Sequence, residues 1–496
     1  MFVPTRHRAS SDSSDSSSSS SSHRRRYTLA EACLLGWAPH NLGMFVPAPS
    51  AIPHIPLSTL ASWRDMAFAD VVGEVLALFT TPSDPLLTCE EVRTIARQAL
   101  QTHDGGFQHP DIAPLVPKPD APNTYVLELF HGPTQAFKDL GMAVLAHILQ
   151  HILAKQDKRI KLLVGTSGDT GASAAHAVAS CANLSIAVLY PSRQFSNVSD
   201  VQERQTLDAI SDQCAVVECM GTSDDLDRPI NEAFANDELR TTHNLGSVNS
   251  VNVVRLLVQC AFFAYAATRL PSHAAATFVV PTGAAGHVAG GALAKLIGIP
   301  INKLVSAGNA NRAFVDLLND DSLDGSKPTV TTSSPSMDIR LPYNLERIVY
   351  WAGGSDEASS VAATMASNGK VLLSPEIKEA ISEKLGIAAA HAEDDQVADA
   401  IRFEFTKHGT LYDPHSAVGI AAARSQNLEG TDEHPLVFMA CAHPAKFPST
   451  IHDIVPECHL DSLVAQNSSE PPTPTRIFER DTDWYRQLVE VLESLP

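Results

Sequence analysis

"LLVGTSGDTGASAA" (162–175) is an apolar run, a glycine-broken turn rich in hydroxyls, and then a run of small residues. Alternation is missing from the first part, so it predicts a strand buried on both faces; the last part predicts a helix. Working outward, the same unit recurs between Tyr125 and Ala307. The predicted strands are "KLLVG" (161–165), "LSIAVLY" (184–190), "CAVVEC" (214–219), "TFVVP" (277–281) and "NKLVSA" (302–307). Predicted helices fall at Asp139 to Ala154, Ala172 to Ser180, Val251 to Thr268 and Val288 to Ile297. Such alternation specifies an α/β fold, parallel sheets flanked by helices, with ligands collecting where strands give way to helices. Before it, Leu29 to Pro117 reads as mixed and helix-rich. After it, Pro342 to Arg402 reads as helices, followed by apolar runs around Leu411 and at "PLVFMACA" (435–442).

The bulk numbers narrow the function. A chain of 496 residues exceeds what one hydrophobic core usually serves, so lobes with a cleft between them are expected. A formal charge of −20, with no basic cluster after Arg24 to Arg26, opposes a nucleic-acid footprint. No stretch approaches the roughly 20 apolar residues of a membrane span. Eight scattered cysteines without a C-x-x-C read as buried thiols in a reducing compartment, and no metal site is expected. The tract "SSDSSDSSSSSSSHRRR" cannot bury enough surface to order itself. Its acidic residues and lack of amphipathic period argue against an import leader.

Three segments carry the chemistry. The loop of 165–171 offers backbone N–H groups and the hydroxyls of Thr166, Ser167 and Thr170 at a helix N-terminus, a natural anion site. "VVPTGAAGHVAGG" (279–291) repeats the device. Neither loop has the Gly-Lys-Ser/Thr ending of a P-loop or the G-x-G-x-x-G of a dinucleotide site. The third is "ELFHGPTQAFKD" (128–139), in which Lys138 stands alone. Two anion cradles and one lysine fit pyridoxal 5'-phosphate, one loop for its phosphate, one for a substrate carboxylate, and the lysine for a Schiff base.

Together with "GWAPHNLGMFVP" (36–47), "NLGSVNSVNVVRLLVQ" (244–259), "SPSMDI" (334–339), "YNLERIVY" (343–350), "DPHSAVG" (413–419) and "AHPAKFP" (442–448), these segments resemble the threonine synthase family, in family order over most of the chain. The resemblance implies the fold-type II architecture of pyridoxal-phosphate enzymes, like the tryptophan synthase β subunit, with the cofactor in the interlobe cleft. It implies Lys138 as the Schiff-base lysine and Gly283, Ala284, Ala285, Gly286 and His287 as the phosphate loop. Thr166, Ser167, Asp169 and Thr170 would bind substrate, as would Asn249, Asn252 and Arg255, for which a purely structural role is weighed equally. Cys441 stands where the family has a threonine facing the pyridine nitrogen. A thiol is a weak, neutral partner there, which favours elimination over chemistry needing a strong electron sink. "FVPTRH" (2–7) resembles the family's opening strand, making the serine tract an insertion.

The sequence also departs from that family. "GAAGH" (283–287) replaces Gly-Asn-Phe-Gly-Asp, Pro342 and Tyr343 replace two serines, and Arg312 replaces an aspartate. "TGAAG", "PYNLER", "GGSD" (353–356) and "SDDLDRPI" (223–230) are similar to the threonine synthase-like phospholyases of animals. That implies loss of phosphate from O-phosphothreonine or O-phosphohomoserine, giving 2-oxobutyrate and ammonia. Threonine synthase, action on another phosphorylated or acylated amino acid, and a silent binding protein of the same fold are the alternatives. We expect an N-terminal domain at 1–118 with the serine insertion at 9–26, a cofactor-binding core at 119–320, and a helical region at 321–496 that returns to complete it. A monomer or homodimer in the cytoplasm, acting on a small phosphorylated amino acid, is expected.

Overall fold

The computed structural model describes residues 1–7, 25–102, 106–166, 168–271, 274–320, 322–460 and 472–496. All but the last two residues of the serine insertion, and Ser167 of the first loop, lie outside these.

Two parallel sheets organise the chain. The larger has the order β13 (Ile387–His391), β10 (Ile301–Gly308), β9 (Ala276–Pro281), β14 (Leu436–Ala440), β4 (Thr124–Glu128) and β3 (Leu115–Pro117). All its pairings are parallel except β3 with β4. The second sheet, wholly parallel, runs β15 (Arg476–Phe478), β7 (Cys214–Cys219), β6 (Leu184–Pro191), β5 (Ile160–Gly165) and β8 (Leu245–Gly246). Two antiparallel pairs complete the strands, β1 (Phe2–Pro4) with β2 (Phe45–Pro47) and β11 (Leu323–Asp324) with β12 (Lys370–Val371).

The strand runs read from sequence lie within one residue of the observed strands, and β6 is buried at every position. Helix Val253–Arg269 is the centre of the packing: from Val253 to Thr268 every residue is buried, against helices Lys138–Gln156, Phe68–Phe79 and Gly286–Leu296. A helix apolar all round has to lie inside the molecule.

Between Pro342 and Arg402 the expectation of helices alone is corrected. "IAAAH" (387–391) forms β13 and extends the large sheet beside β10. Its alanines favour helix locally, but pairing with the exposed edge of β10 overrides that preference. No helix among the described residues is long and apolar enough to cross a membrane.

Candidate active site

The turn before Lys138 is built by its neighbour. Asp139, buried in the first helical turn, accepts hydrogen bonds from the Thr134 N–H (2.9 Å) and hydroxyl (2.6 Å). The Thr134 hydroxyl also meets Ser173 Oγ on the Asp169–Val178 helix at 2.9 Å. A Cβ at Gly132 would fall 2.5 Å from the Asp139 carboxylate, so only glycine allows this close approach. The folded turn places Lys138 at the start of its helix with Nζ 4.6 Å from the centre of the Phe137 ring.

Facing Lys138, the strand–loop–helix unit that begins with β5 delivers Asp169, 2% exposed. Its Oδ2 lies 3.1 Å from Lys138 Nζ and 3.2 Å from the donating Ser336 hydroxyl. Its Oδ1 accepts from Gln202 Nε2 at 2.8 Å and lies 3.4 Å from Lys446 Nζ. Burial raises the carboxyl's pKa, but the ammonium groups of Lys138 and Lys446 overcome it and hold Asp169 ionised, well below the carboxylate range. Gly168 makes this possible: at φ 141° its backbone suits glycine alone, and a Cβ would sit 2.5 Å from the Gln202 amide. The Thr166 hydroxyl accepts the N–H groups of Gly168 and Gly171, both at 3.0 Å, and so shapes the loop. Thr170 follows Asp169 in the first helical turn.

The second loop leaves β9 and enters helix Gly286–Leu296 through Ala285, which adopts the left-handed conformation at φ 63°. A Cβ on Gly283 would stand 3.0 Å from the Met337 Cα, so the loop is pressed against the "SPSMDI" segment. Asn344 pins it by donating its side-chain amide to the Ala284 carbonyl at 2.9 Å, and to Ser250 Oγ at the same distance. The Ser250 hydroxyl in turn donates to Tyr343 Oη at 3.0 Å.

Beside this cluster lies Arg255, 4% exposed, donating to the Val248 carbonyl at 3.2 Å. Its Nε has no hydrogen-bond partner among the described residues. Burial pushes the guanidinium pKa down to about 10. His287 is likewise 5% exposed, with neither ring nitrogen bonded to a described group. Phe137 stacks on it at 5.3 Å, with Phe262 and Phe263 against its edges. Burial, aided by the Lys138 charge, pushes its pKa down to about 3, so the ring is neutral.

The remaining candidates sort by their bonds. Asn252 is fully buried; its oxygen caps the helix at Val254 and its amide ties to the Cys33 carbonyl at 2.9 Å. Asn249 is half-buried and donates its N–H to Ser247 Oγ. Cys441 follows β14, its N–H donating to Ser416 Oγ at 2.7 Å. Burial drives its thiol far above the ordinary range, which keeps it neutral. The eight cysteines are unpaired, and all but Cys89 are buried.

Sequence reasoning assigned no role to four residues around Asp169. Lys446 is fully buried, with Nζ donating to the Thr134 carbonyl (2.6 Å) and Gln205 Oε1 (2.5 Å). Gln202, Ser336 and His415 complete the set, His415 accepting the Ser336 N–H at 3.1 Å and pairing with Asp413 at 2.9 Å. A lysine flanked by Pro444, Ala445 and Phe447 was the available signal for the first.

A lysine beside a buried carboxylate, a glycine-broken helix N-terminus and a buried guanidinium whose Nε has no partner among the described residues fit a ligand with an aldehyde and anionic groups. The comparisons agree. Residues 112–442 match the model of the pyridoxal-phosphate dependent enzymes, and residues 416–482 that of the threonine synthase C-terminal region. The human protein named threonine synthase-like 2 is 32% identical over 480 residues, 95% of each chain. Threonine synthase of Pseudomonas aeruginosa is 31% identical over 453 residues, 91% of each. Among solved structures, pyridoxal-phosphate-bound threonine synthase from Brucella melitensis superposes with a TM-score of 0.84 at 29% identity, over 100% of this chain and 99% of that one. Yeast threonine synthase gives 0.81 at 25%, over 99% and 97%.

Proposed function

Since the chain belongs to the threonine synthase family of pyridoxal-phosphate-dependent enzymes, we propose that it is a phospholyase, releasing phosphate, 2-oxobutyrate and ammonia from O-phosphothreonine or O-phosphohomoserine with uptake of one water. The bound cofactor supplies an electron sink that acidifies the α carbon of an attached amino acid. Lys138 carries the cofactor and, once freed, takes the α proton on Nζ. Asp169, 3.1 Å away, orients that amine. The loop of Thr166, Ser167 and Thr170 receives the substrate carboxylate at the helix N-terminus, and the loop of 283–287 holds the cofactor phosphate. Arg255 with Ser250 receives the phosphate that leaves. Cys441, whose thiol burial keeps neutral, would be the partner offered to the ring nitrogen, and it has no charge with which to hold a proton there.

The observation that carries elimination over water addition is Tyr343. Where the family resemblance leads one to expect a small serine, a phenol reaches Ser250 at 3.0 Å, on the side of the site where Arg255 lies. Its bulk reduces the room for the water that a synthase must add at the β carbon before release. Similarity to both the human threonine synthase-like 2 and the bacterial synthase leaves synthase activity as the second reading.

The test is to incubate the purified protein and Lys138→Ala with each phosphoamino acid and to quantify phosphate, 2-oxobutyrate and threonine. Phosphate with 2-oxobutyrate from the native protein alone supports the lyase. Threonine from O-phosphohomoserine would make it a synthase. Absence of phosphate from both substrates would send the search to other leaving groups.

A further inference from the structure

Lys446 raises a physical question. A lysine with no exposed surface loses its hydration, and among the described residues it gains the Thr134 carbonyl, the Gln205 amide oxygen and one edge of Asp169 in exchange. An apolar side chain of equal length would fill the space without that penalty. Its place explains the cation: it approaches Asp169 Oδ1 while Lys138 approaches Oδ2. One carboxylate thus lies between two ammonium groups.

Resting on the reading of Lys138 as the cofactor-bearing lysine, we propose that Lys446 is a positioning residue that sets the proton affinity of Lys138 by opposing the field of Asp169. A carboxylate 3.1 Å from Nζ, uncompensated in a buried site, would keep that nitrogen protonated and make it a poor base. The second positive charge offsets part of that field. It also fixes the carboxylate in place, because Lys446 is itself tethered to the turn that precedes Lys138 and to Gln205 on the Asp200–Leu207 helix. Burial lowers the pKa of Lys446, and the negative charges of Asp169, 3.4 Å away, and of Asp139 oppose that lowering. The other titratable groups around the cluster are His415, His287, Asp413 and Cys441. Of these, His287 and Cys441 are held neutral by burial.

The test is a pH titration of the visible cofactor absorbance of the full-length holoenzyme, with folding followed by circular dichroism. Lys446→Gln keeps a donor for Thr134 and removes the charge, and should move the spectral midpoint up by about one pH unit. Gln205→Glu neutralises Lys446 in place and should shift it the same way. Lys446→Arg should restore the native midpoint, and Asp169→Asn should move it down. Loss of the visible band in Lys138→Ala establishes the underlying assignment separately. If the band depends on Lys138 but Lys446→Gln and Gln205→Glu, both folded, keep the native midpoint, Lys446 is a packing residue only. If Lys446→Gln does not fold, Gln205→Glu decides alone, an unmoved midpoint overturning the proposal. Shifts of the same sign for Gln205→Glu and Asp169→Asn would overturn it as well.

Discussion

Arg255→Met should make the protein harder to unfold while disabling it. Burial holds the guanidinium near pH 10 against an ordinary value of 12.5. The difference, about 2.5 units, corresponds to a penalty of about 3 kcal/mol for keeping the charge inside. Because the folded value is the lower one, that penalty is fully present at every pH below about 10 and is relieved only between pH 10 and 12.5. Methionine has similar length and no charge to desolvate; it forfeits the bond to the Val248 carbonyl, about 1 kcal/mol. The net expectation is a gain of about 2 kcal/mol, read as a higher urea midpoint for the holoenzyme in phosphate-free buffer. Inorganic phosphate should then stabilise the native protein and leave the variant unchanged. A variant that unfolds at lower urea than the native protein, or that phosphate still stabilises, would refute the idea of an unpaired cation awaiting an anion.

Two further outcomes are open to simple measurement. His287 titrates near 3 in the folded protein and near 6.5 when unfolded, so it costs nothing above pH 6.5 and destabilises progressively from 6.5 down to 3. At pH 5 the loss is about 2 kcal/mol, and His287→Phe should remove it, seen as a flatter plot of urea midpoint against pH. Gly168→Ala forces a side chain into a φ of 141° and against Gln202 at 2.5 Å. It should cost about 2 kcal/mol in strain and weaken cofactor retention on dialysis, while a variant that binds and unfolds normally would show the loop to be pliable.

The large elements were legible because they are periodic. The strand runs of 161–165, 214–219 and 277–281 have buried apolar residues on both faces, and only a double-sided sheet accommodates them. Helix starts were misjudged by two to three residues where a polar residue begins the turn: Asp169 was read as loop, although it opens its helix, and Asn252 was read as helix, although it is the cap. The strand at 387–391 was invisible because nothing in Ile-Ala-Ala-Ala-His distinguishes it from a helix until β10 offers an edge. In the site, Lys138 and the two glycine loops stand out by local composition. The circle of Lys446, Gln202, Ser336 and His415 around Asp169 does not, because its members meet only through tertiary contacts between distant segments.

The placing of β14 between β9 and β4 sets the order of events in the cell. Lys446 and the Thr134 carbonyl that it grips are 312 residues apart in the chain. At about 5–20 residues per second, a ribosome needs roughly 15 to 60 s to make that interval. Through that time the nascent sheet lacks its middle strand, and the lysine turn lacks the segment that anchors it. Cofactor capture by the completed site therefore belongs after synthesis of β14 and the Lys446 segment that follows it.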